Sequence, residues 1–172
     1  NFKPHKNIGI VVEAYYKLPQ EIKDEYQLVF GGKIDRGSLM PKEMTKRLRL
    51  GNSAIFTDFI PEGDLPAIYS AAELFVFPSL YEGFGLPPLE AMSCGCPALV
   101  STAASLPEVC GDAALYFDPH DPEELAIRGH KHRCLSLTRK RLGPHYRPAH
   151  VDAALLHQAK IAEEDVLLIY NR

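Results

Sequence analysis

The sequence predicts an α/β fold in which a parallel sheet carries helices on both faces. Five short apolar runs have the length and residue types of buried strands, and segments with helical spacing or proline-initiated starts lie between them. Strands that alternate with helices form parallel sheets, because each crossover helix returns the chain to the same end of the sheet. The predicted strands span residues 26–30, 54–57, 74–77, 98–100 and 114–117.

The predicted helices begin at residues that favour helix starts. Asn7 is the expected cap of the first helix, whose apolar residues continue to Tyr16 and which ends at Pro19. Asp121 and Pro122 start the helix after the fifth strand, since an acidic cap, a proline at the first position and acids in the first turn all favour an N-terminus. The remaining helices are expected at residues 40–50, 65–72, 87–94 and 106–109.

Composition places the chain among globular proteins. Of its 172 residues, 46% are apolar and 24% are charged, and the net charge is −3. A chain so close to neutral is not built mainly to coat nucleic acid. No apolar run approaches the about 20 residues that span a bilayer. Cys94 and Cys96 are separated by one residue, too close for the usual metal pair or a relaxed disulfide, so free thiols in a reducing cytoplasm are expected. The four cysteines are Cys94, Cys96, Cys110 and Cys134.

The charge divides the chain into two regions. Residues 1–127 hold 10 Lys and Arg against 18 Asp and Glu, whereas residues 128–172 hold 9 against 4. We therefore expect a nucleotide-binding domain over 1–127, followed over 128–172 by an atypical basic segment and a closing C-terminal helix, at 162–172, packed on the same domain. Three interpretations of the basic segment stay open: a zinc site, a patch that binds anionic lipid or RNA, and a solvated loop. The candidate zinc ligands are His130, His132 and Cys134.

The loop after the third strand has the clearest functional pattern, in the stretch PSLYEGFGLPPLEAM that begins at residue 78. Gly83 and Gly85 lie between a strand end and a proline-initiated helix, where glycine allows a ligand to approach the backbone and free N–H groups favour an anion. Glu82 stands at the mouth of this loop, and Glu90 follows in the helix, where its carboxylate could accept hydrogen bonds from ribose hydroxyls. The alternative is a strained turn with a glutamate that compensates the helix dipole.

The pattern from Glu82 to Glu90 within YEGFGLPPLEAM resembles the retaining glycosyltransferases of the GT-B fold, specifically family 4 (glycosyl transferases group 1). The resemblance covers about residues 1–127 and implies the Rossmann-like, donor-binding C-terminal half of that fold. The other matching segments are KPHKNIGIVVEAY, LVFGGK, FTDFIPEGDLPAIYSAAELFVFPS, AMSCGCPALVS and SLPEVCGDAALYFDPHDPEELA.

The resemblance also implies the roles of the candidate site residues. Glu82 would face the donor sugar and Lys6 would pair with the diphosphate, which makes these two the catalytic candidates. Glu90 would hold the ribose hydroxyls. Backbone N–H groups of the glycine-containing turn would bind the distal phosphate and the sugar; the residues concerned are Gly83, Phe84, Gly85 and Leu86.

Independent physical reasoning supports an anion beside Lys6. Lys3, His5 and Lys6 crowd a helix N-terminus, where each cation is unfavourable by about 0.3–1 kcal/mol. A bound anion would make the energy of these cations favourable. A solvated basic turn is the alternative.

Two further segments complete the implied donor site. Phe59 and Ile60 occupy the place where the family clamps the nucleobase, although both could be core residues instead. Many relatives have glycine where Asp58 stands. Gly32 and Lys33 follow the first strand and could flank the diphosphate or form a plain turn.

The chain departs from the family pattern at its start. Asn1 stands where most relatives have arginine, and the strand before it is missing. The acceptor-binding N-terminal domain is also missing, so we expect a fragment that binds donor weakly and transfers sugar poorly or not at all.

The function implied is transfer of a sugar from GDP-mannose or a UDP-sugar to an acceptor hydroxyl, with retention of configuration, in polysaccharide or glycolipid synthesis. The acceptor would be a saccharide or a lipid-linked molecule. No Asp-x-Asp motif stands in a suitable loop, so neither a metal nor a cofactor is expected. We expect a cytoplasmic protein, with peripheral contact to the inner face of the membrane left open.

Three alternatives remain. A non-catalytic nucleotide-sugar-binding module would need the same residues. An epimerase or a phosphorylase would share the fold, although we find no convincing lysine to anchor pyridoxal phosphate. An NAD-binding domain is disfavoured because no Gly-x-Gly-x-x-Gly follows an early strand.

Overall fold

A computed structural model describes residues 3–32, 39–130 and 166–171. Lys33, Cys134, His132 and most of the basic segment lie outside these ranges, so the expectations that fall on them stay predictions. The helices are α1 (Ile8–Lys17), α2 (Gln20–Glu25), α3 (Met40–Arg47), α4 (Leu65–Ala71), α5 (Leu86–Ser93), α6 (Leu106–Cys110) and α7 (Pro122–His130). The strands are β1 (Tyr26–Gly31), β2 (Ala54–Asp58), β3 (Leu74–Phe77), β4 (Ala98–Ser101), β5 (Leu115–Phe117) and β6 (Val166–Asn171).

Within the described residues, the six strands form one sheet in the order β2-β1-β6-β3-β4-β5. The pairs β1–β2, β3–β4 and β4–β5 are parallel, and a helix connects the two strands of each parallel pair in sequence. The predicted α/β class is therefore confirmed, as are the five predicted strands and six of the seven predicted helices. Helix α2 was not predicted, because its sequence QEIKDE carries a single apolar residue.

Strand β6 departs from the expected closing helix. Val166–Asn171 runs antiparallel between β1 and β3, so the prediction of a helix there is wrong. Its sequence, VLLIYN, is a short apolar run that a helix or a strand can accommodate. The central place in the sheet decides between them, because backbone hydrogen bonding to two neighbours favours the extended chain.

The sheet has a separate apolar core on each face. Side chains alternate along β3, so Leu74 and Val76 join one core while Phe75 and Phe77 join the other. Helices α1, α3 and α7 cover the first face, and α4, α5 and α6 cover the second. Residues in both cores are almost completely buried, as expected for a doubly covered sheet.

The start of α1 differs from the predicted cap. Asn7 has left-handed backbone geometry, with φ of 53°, and its side chain makes no cap hydrogen bond. Its Nδ2 instead donates to the backbone oxygen of Pro119, 2.7 Å away, in the turn before α7. The expected cap is therefore wrong, whereas the cap predicted at Asp121 is confirmed because its Oδ1 accepts from the N–H of Glu124 at 2.9 Å.

Parallel pairing brings the carboxyl ends of β1, β2, β3 and β4 to one edge of the sheet. Gly31, Asp58, Phe77 and Ser101 are the last residues of these strands. Open α/β sheets bind ligands at this edge, where loops meet helix N-termini.

None of the helices in the described part of the chain is long and apolar enough to cross a membrane.

Candidate functional site

The connection between β3 and α5, residues 78–85, is called the glycine loop below. Gly85 ends it with φ of 93°, a left-handed conformation that favours glycine. A Cβ atom at Gly85 would overlap with Cδ2 of Leu106, whereas one at Gly83 would meet nothing within 4 Å. Helix α5 then begins at Leu86, with two prolines in its first turn. The sequence thus folds locally so that an exposed turn meets a helix N-terminus.

Glu82 is held at this turn by two donors. Nζ of Lys6 donates to Oε1 of Glu82 at 2.9 Å, and Oγ of Ser79 donates to the same oxygen at 2.6 Å. The Lys6 and Glu82 side chains are only 19% and 14% exposed, so solvent screens this ion pair less than a surface pair. Both contacts of the carboxylate within the described chain involve Oε1, which leaves Oε2 available to a ligand.

Backbone contacts bring Lys6 to the glycine loop. The N–H of Leu80 donates to the backbone oxygen of His5 at 2.7 Å, which ties the turn before α1 to the loop. Nζ of Lys6 also lies 5.3 Å from the centre of the Phe77 ring, within the range of a cation–π interaction. The two residues predicted as the catalytic candidates are therefore neighbours.

Glu90 lies on α5, the helix that the loop enters, and is partly buried. Burial raises the pKa of its carboxyl group, the nearby Glu62 raises it further, and a 3.4 Å hydrogen bond from the Tyr69 hydroxyl partly offsets them. A partly desolvated carboxylate with one long hydrogen bond can accept further donors. The hydrogen bond from Tyr69 also places Glu90 beside α4, the helix that follows β2.

The predicted base-binding residues follow β2. Phe59 is 65% exposed, so the alternative that it is a core residue is wrong; Ile60 is partly buried. Gly32 follows β1, is buried and has φ of 135°, a conformation that favours glycine. Phe84 is exposed at the tip of the glycine loop, and Leu86 is partly buried. These positions lie at the carboxyl ends of β1, β2 and β3.

Three serines at the site were not predicted from the sequence. Ser101 Oγ donates to the backbone oxygen of Ser79 at 2.5 Å, and both serines are fully buried. Ser105 Oγ donates to the backbone oxygens of Glu82 and Phe84, at 3.3 and 3.2 Å. The available sequence signal was their place at strand ends and helix starts, where hydroxyls commonly bond to backbone.

The arrangement is suited to an anion beside a carboxylate. Lys6, the amides of the glycine loop and the start of α5 supply positive charge and donors, while Oε2 of Glu82 supplies an acceptor. No group of three His, Cys, Asp or Glu side chains in the described residues has a geometry that could hold a metal ion.

The chain matches characterised proteins over most of its length. The family model for glycosyl transferases group 1 matches residues 1–129. Serotype-specific mannosyltransferase WbdA from Escherichia coli is 44% identical over 130 residues, which are 72% of this chain and 15% of that protein. O-antigen chain mannosyltransferase B, also from Escherichia coli, is 42% identical over 124 residues, which are 72% of this chain and 32% of that protein. The chain thus spans less than a third of the length of each relative.

The fold matches solved structures too. The crystal structure of Anabaena Alr3699/HepE in complex with UDP and glucose superposes with a TM-score of 0.67 and 26% sequence identity. The match covers 80% of this chain and 37% of that one. The sequence matches and the structural match both come from glycosyltransferases or proteins that share their fold. The chain belongs to the family of glycosyl transferases group 1.

Proposed function

We propose that this chain is the donor-binding half of a retaining glycosyltransferase and takes a nucleotide-diphosphate sugar as its donor. The observation that carries the proposal is the 2.9 Å contact between Lys6 and Glu82 beside the glycine loop. A cation next to exposed backbone amides suits a diphosphate, and an adjacent carboxylate suits the hydroxyls of a sugar. The family membership of the chain supports the same assignment.

In this proposal the diphosphate lies against the N-terminus of α5. The N–H groups of Phe84, Gly85 and Leu86 donate to its oxygens, and Gly83 gives the backbone room to do so. Lys6 has three donors, so its ammonium can contact a phosphate oxygen while it keeps its hydrogen bond to Glu82. Gly32 and Lys33 would flank the diphosphate from the end of β1.

Glu82 orients the sugar in the proposed mechanism. Its Oε2 accepts from a sugar hydroxyl, and its negative charge stabilises positive charge that develops at the anomeric carbon. Lys6 and the loop amides stabilise the leaving diphosphate, whose negative charge grows as the glycosidic bond breaks. In this proposal Glu82 orients and stabilises the sugar, and the family pattern implies retention of configuration.

The nucleoside would lie towards β2. Glu90 would accept hydrogen bonds from the ribose hydroxyls, and the exposed ring of Phe59, with Ile60, would contact the base. An exposed aromatic ring beside a polar site is a common base-stacking surface.

The relatives favour mannose as the transferred sugar. Both Escherichia coli proteins are named mannosyltransferases, so we propose GDP-mannose as the donor. The product would be a surface polysaccharide chain that is extended by one mannose. A UDP-sugar is the second candidate, because Alr3699/HepE has the same fold and was solved with UDP and glucose.

We also propose that the acceptor, a saccharide or a lipid-linked molecule, binds outside the nucleotide-binding domain assigned to residues 1–127. The matched segments cover only 15% and 32% of the two relatives, which leaves room for such a region in each. We propose that the reaction takes place in the cytoplasm, where GDP- and UDP-sugars would be available, with the inner face of the membrane as a second candidate location.

A thermal-shift screen against GDP-mannose, UDP-glucose and an ADP-sugar tests the proposal. A donor at 100 times its dissociation constant should stabilise the chain by about 2.7 kcal/mol. We expect the largest shift with GDP-mannose. If none of these donors shifts the melting temperature, the proposed function is wrong.

The alternative of a non-catalytic nucleotide-sugar-binding module predicts the same binding. Substitution Glu82→Gln within the complete protein separates the two, since it removes the charge while the volume stays the same. Loss of transfer with binding retained supports an enzyme, and unchanged transfer would refute the role of Glu82.

A further inference from the structure

Two serines behind the candidate site connect the ends of β3 and β4 to the Glu82 carboxylate. Ser101, the last residue of β4, donates from Oγ to the backbone oxygen of Ser79 at 2.5 Å. Ser79 in turn donates from Oγ to Oε1 of Glu82 at 2.6 Å. Ser79 and Ser101 are fully buried, so neither hydroxyl can exchange its partner for bulk water. The path therefore joins the rigid sheet to one oxygen of the carboxylate.

We propose that Ser79 is a positioning residue for Glu82, with Ser101 holding Ser79 in place, so that Oε2 stays oriented towards the donor sugar. This inference rests on the proposed function. The length of 2.6 Å is typical of a hydroxyl that donates to an ionised carboxylate, which is a strong class of hydrogen bond.

Lys6 cannot supply this orientation alone. Its ammonium is a point charge on a flexible chain and has no preferred direction towards a carboxylate. A bound diphosphate would also attract the same ammonium, which weakens its hold on Oε1. Ser79 has a single short side chain on a buried backbone, so its bond to Oε1 does not depend on the state of Lys6.

A purely structural role for Ser79 makes a different prediction. If the hydroxyl only satisfies a polar group at the end of β3, its removal lowers the stability of the chain and affects all ligands alike. If it orients Glu82, its removal affects the sugar and spares the nucleotide, because Glu82 contacts only the sugar in the proposed site.

Calorimetric titration of the chain with a nucleoside diphosphate and with its sugar conjugate separates these roles. The ligand pairs are GDP with GDP-mannose and UDP with UDP-glucose. We expect Ser79→Ala to weaken binding of the sugar conjugate about tenfold, which corresponds to about 1.4 kcal/mol, and to leave binding of the diphosphate within about twofold. Ser101→Ala should act in the same direction with a smaller effect, because it acts through Ser79.

A double-mutant cycle supplies the second readout. In a Glu82→Ala background the effect of Ser79→Ala should disappear, since the oxygen that accepts from Ser79 is gone. Ser70→Ala serves as the matched control, because the Ser70 hydroxyl also donates to backbone oxygens but lies on α4 and is exposed.

Several results would overturn the inference. Equal weakening of both ligands by Ser79→Ala, unchanged binding of the sugar conjugate, or full additivity with Glu82→Ala would each reject the positioning role. If Ser79→Ala does not fold, as judged by circular dichroism, Ser101→Ala carries the same comparison. If the wild-type chain binds neither the diphosphates nor the sugar conjugates, the proposed function fails first, and the inference falls with it.

Discussion

The ammonium nitrogen of Lys6 lies 2.9 Å from Oε1 of Glu82, although the two residues are 76 positions apart in the chain. Lys6 is in the turn before α1, and Glu82 is in the glycine loop after β3. The backbone hydrogen bond from Leu80 to His5 brings the two segments together. This contact between distant segments makes one site from residues that the sequence places on separate elements.

Substitution Lys6→Ala should weaken binding of GDP or UDP at least tenfold. The substitution removes a charge-assisted contact to phosphate, and hydrogen bonds to charged groups contribute about 1.5–3 kcal/mol. Lys17→Ala is the matched control, because Lys17 also pairs with a glutamate, Glu123 at 2.6 Å, but the pair is exposed on α1 and α7. Calorimetry should show unchanged affinity for Lys17→Ala. If both variants lost the same amount of nucleotide affinity, Lys6 would act only through the net charge of the chain.

Substitution Gly85→Ala should destabilise the chain by about 1–3 kcal/mol. The residue has φ of 93°, which strains any side chain, and the new Cβ would overlap with Leu106. Gly83→Ala, two residues away, meets open space and should change stability by less than about 0.5 kcal/mol. Urea unfolding measures both. Equal midpoints for the two variants would contradict the described geometry of the loop.

The pH dependence of Glu90 gives a prediction with a defined sign. Because burial raises the pKa of this carboxyl group, ionisation costs the folded state stability as pH rises through the raised pKa. Glu90→Gln should therefore raise the melting temperature at pH 7, and the gain should vanish below the ordinary pKa of 4.5, where the carboxyl is protonated in both states.

The same substitution should weaken nucleotide binding, since Glu90 is the proposed ribose acceptor. Glu124→Gln provides the control of opposite sign. The pKa of Glu124 is lowered, mainly by the hydrogen bond from the N–H of Asp118 and then by the one from Arg128. Removal of the Glu124 carboxylate should therefore cost stability at pH 7. This cost should fade as pH falls through the lowered pKa. If the melting temperatures of the two variants changed with pH in the same way between pH 4 and 7, both assignments would be contradicted.

Cys110 should resist alkylation in the folded chain. Burial raises the pKa of its thiol to about 11, so about one thousandth of it is thiolate at pH 8, and its side chain is covered by one of the two cores. Timed labelling with iodoacetamide and mass spectrometry should show Cys94, which is less buried, reacting before Cys110. The chain unfolded in guanidinium is the control, and equal labelling rates at Cys110 in both states would contradict its burial.

Local patterns predicted most of the fold. Strand and helix positions follow from residues near in sequence, as at Asp121, whose cap forms as expected. The spacing of Glu82 and Glu90 likewise placed one glutamate in the loop and the other in the helix. These features depend on short-range chemistry that a single sequence displays.

The remaining features depend on contacts between distant segments. The sequence of β6 suits a helix or a strand, and only the place between β1 and β3 selects the antiparallel strand. The side chain of Asn7 bonds to Pro119 instead of the helix start, because the turn before α7 lies beside it in space. The path from Ser101 through Ser79 to Glu82 joins two strand ends, which a linear pattern of serines does not reveal.

A crystal structure of the chain with GDP or UDP at saturating concentration would show whether Lys6 and the glycine loop bind the diphosphate. We expect diphosphate oxygens within about 2.7–3.2 Å of Nζ of Lys6 and of the N–H groups of Gly85 and Leu86. Glu82 should then keep its contact with Ser79. A diphosphate bound elsewhere on the chain, with the glycine loop unoccupied, would contradict the assignment of this loop as the diphosphate site.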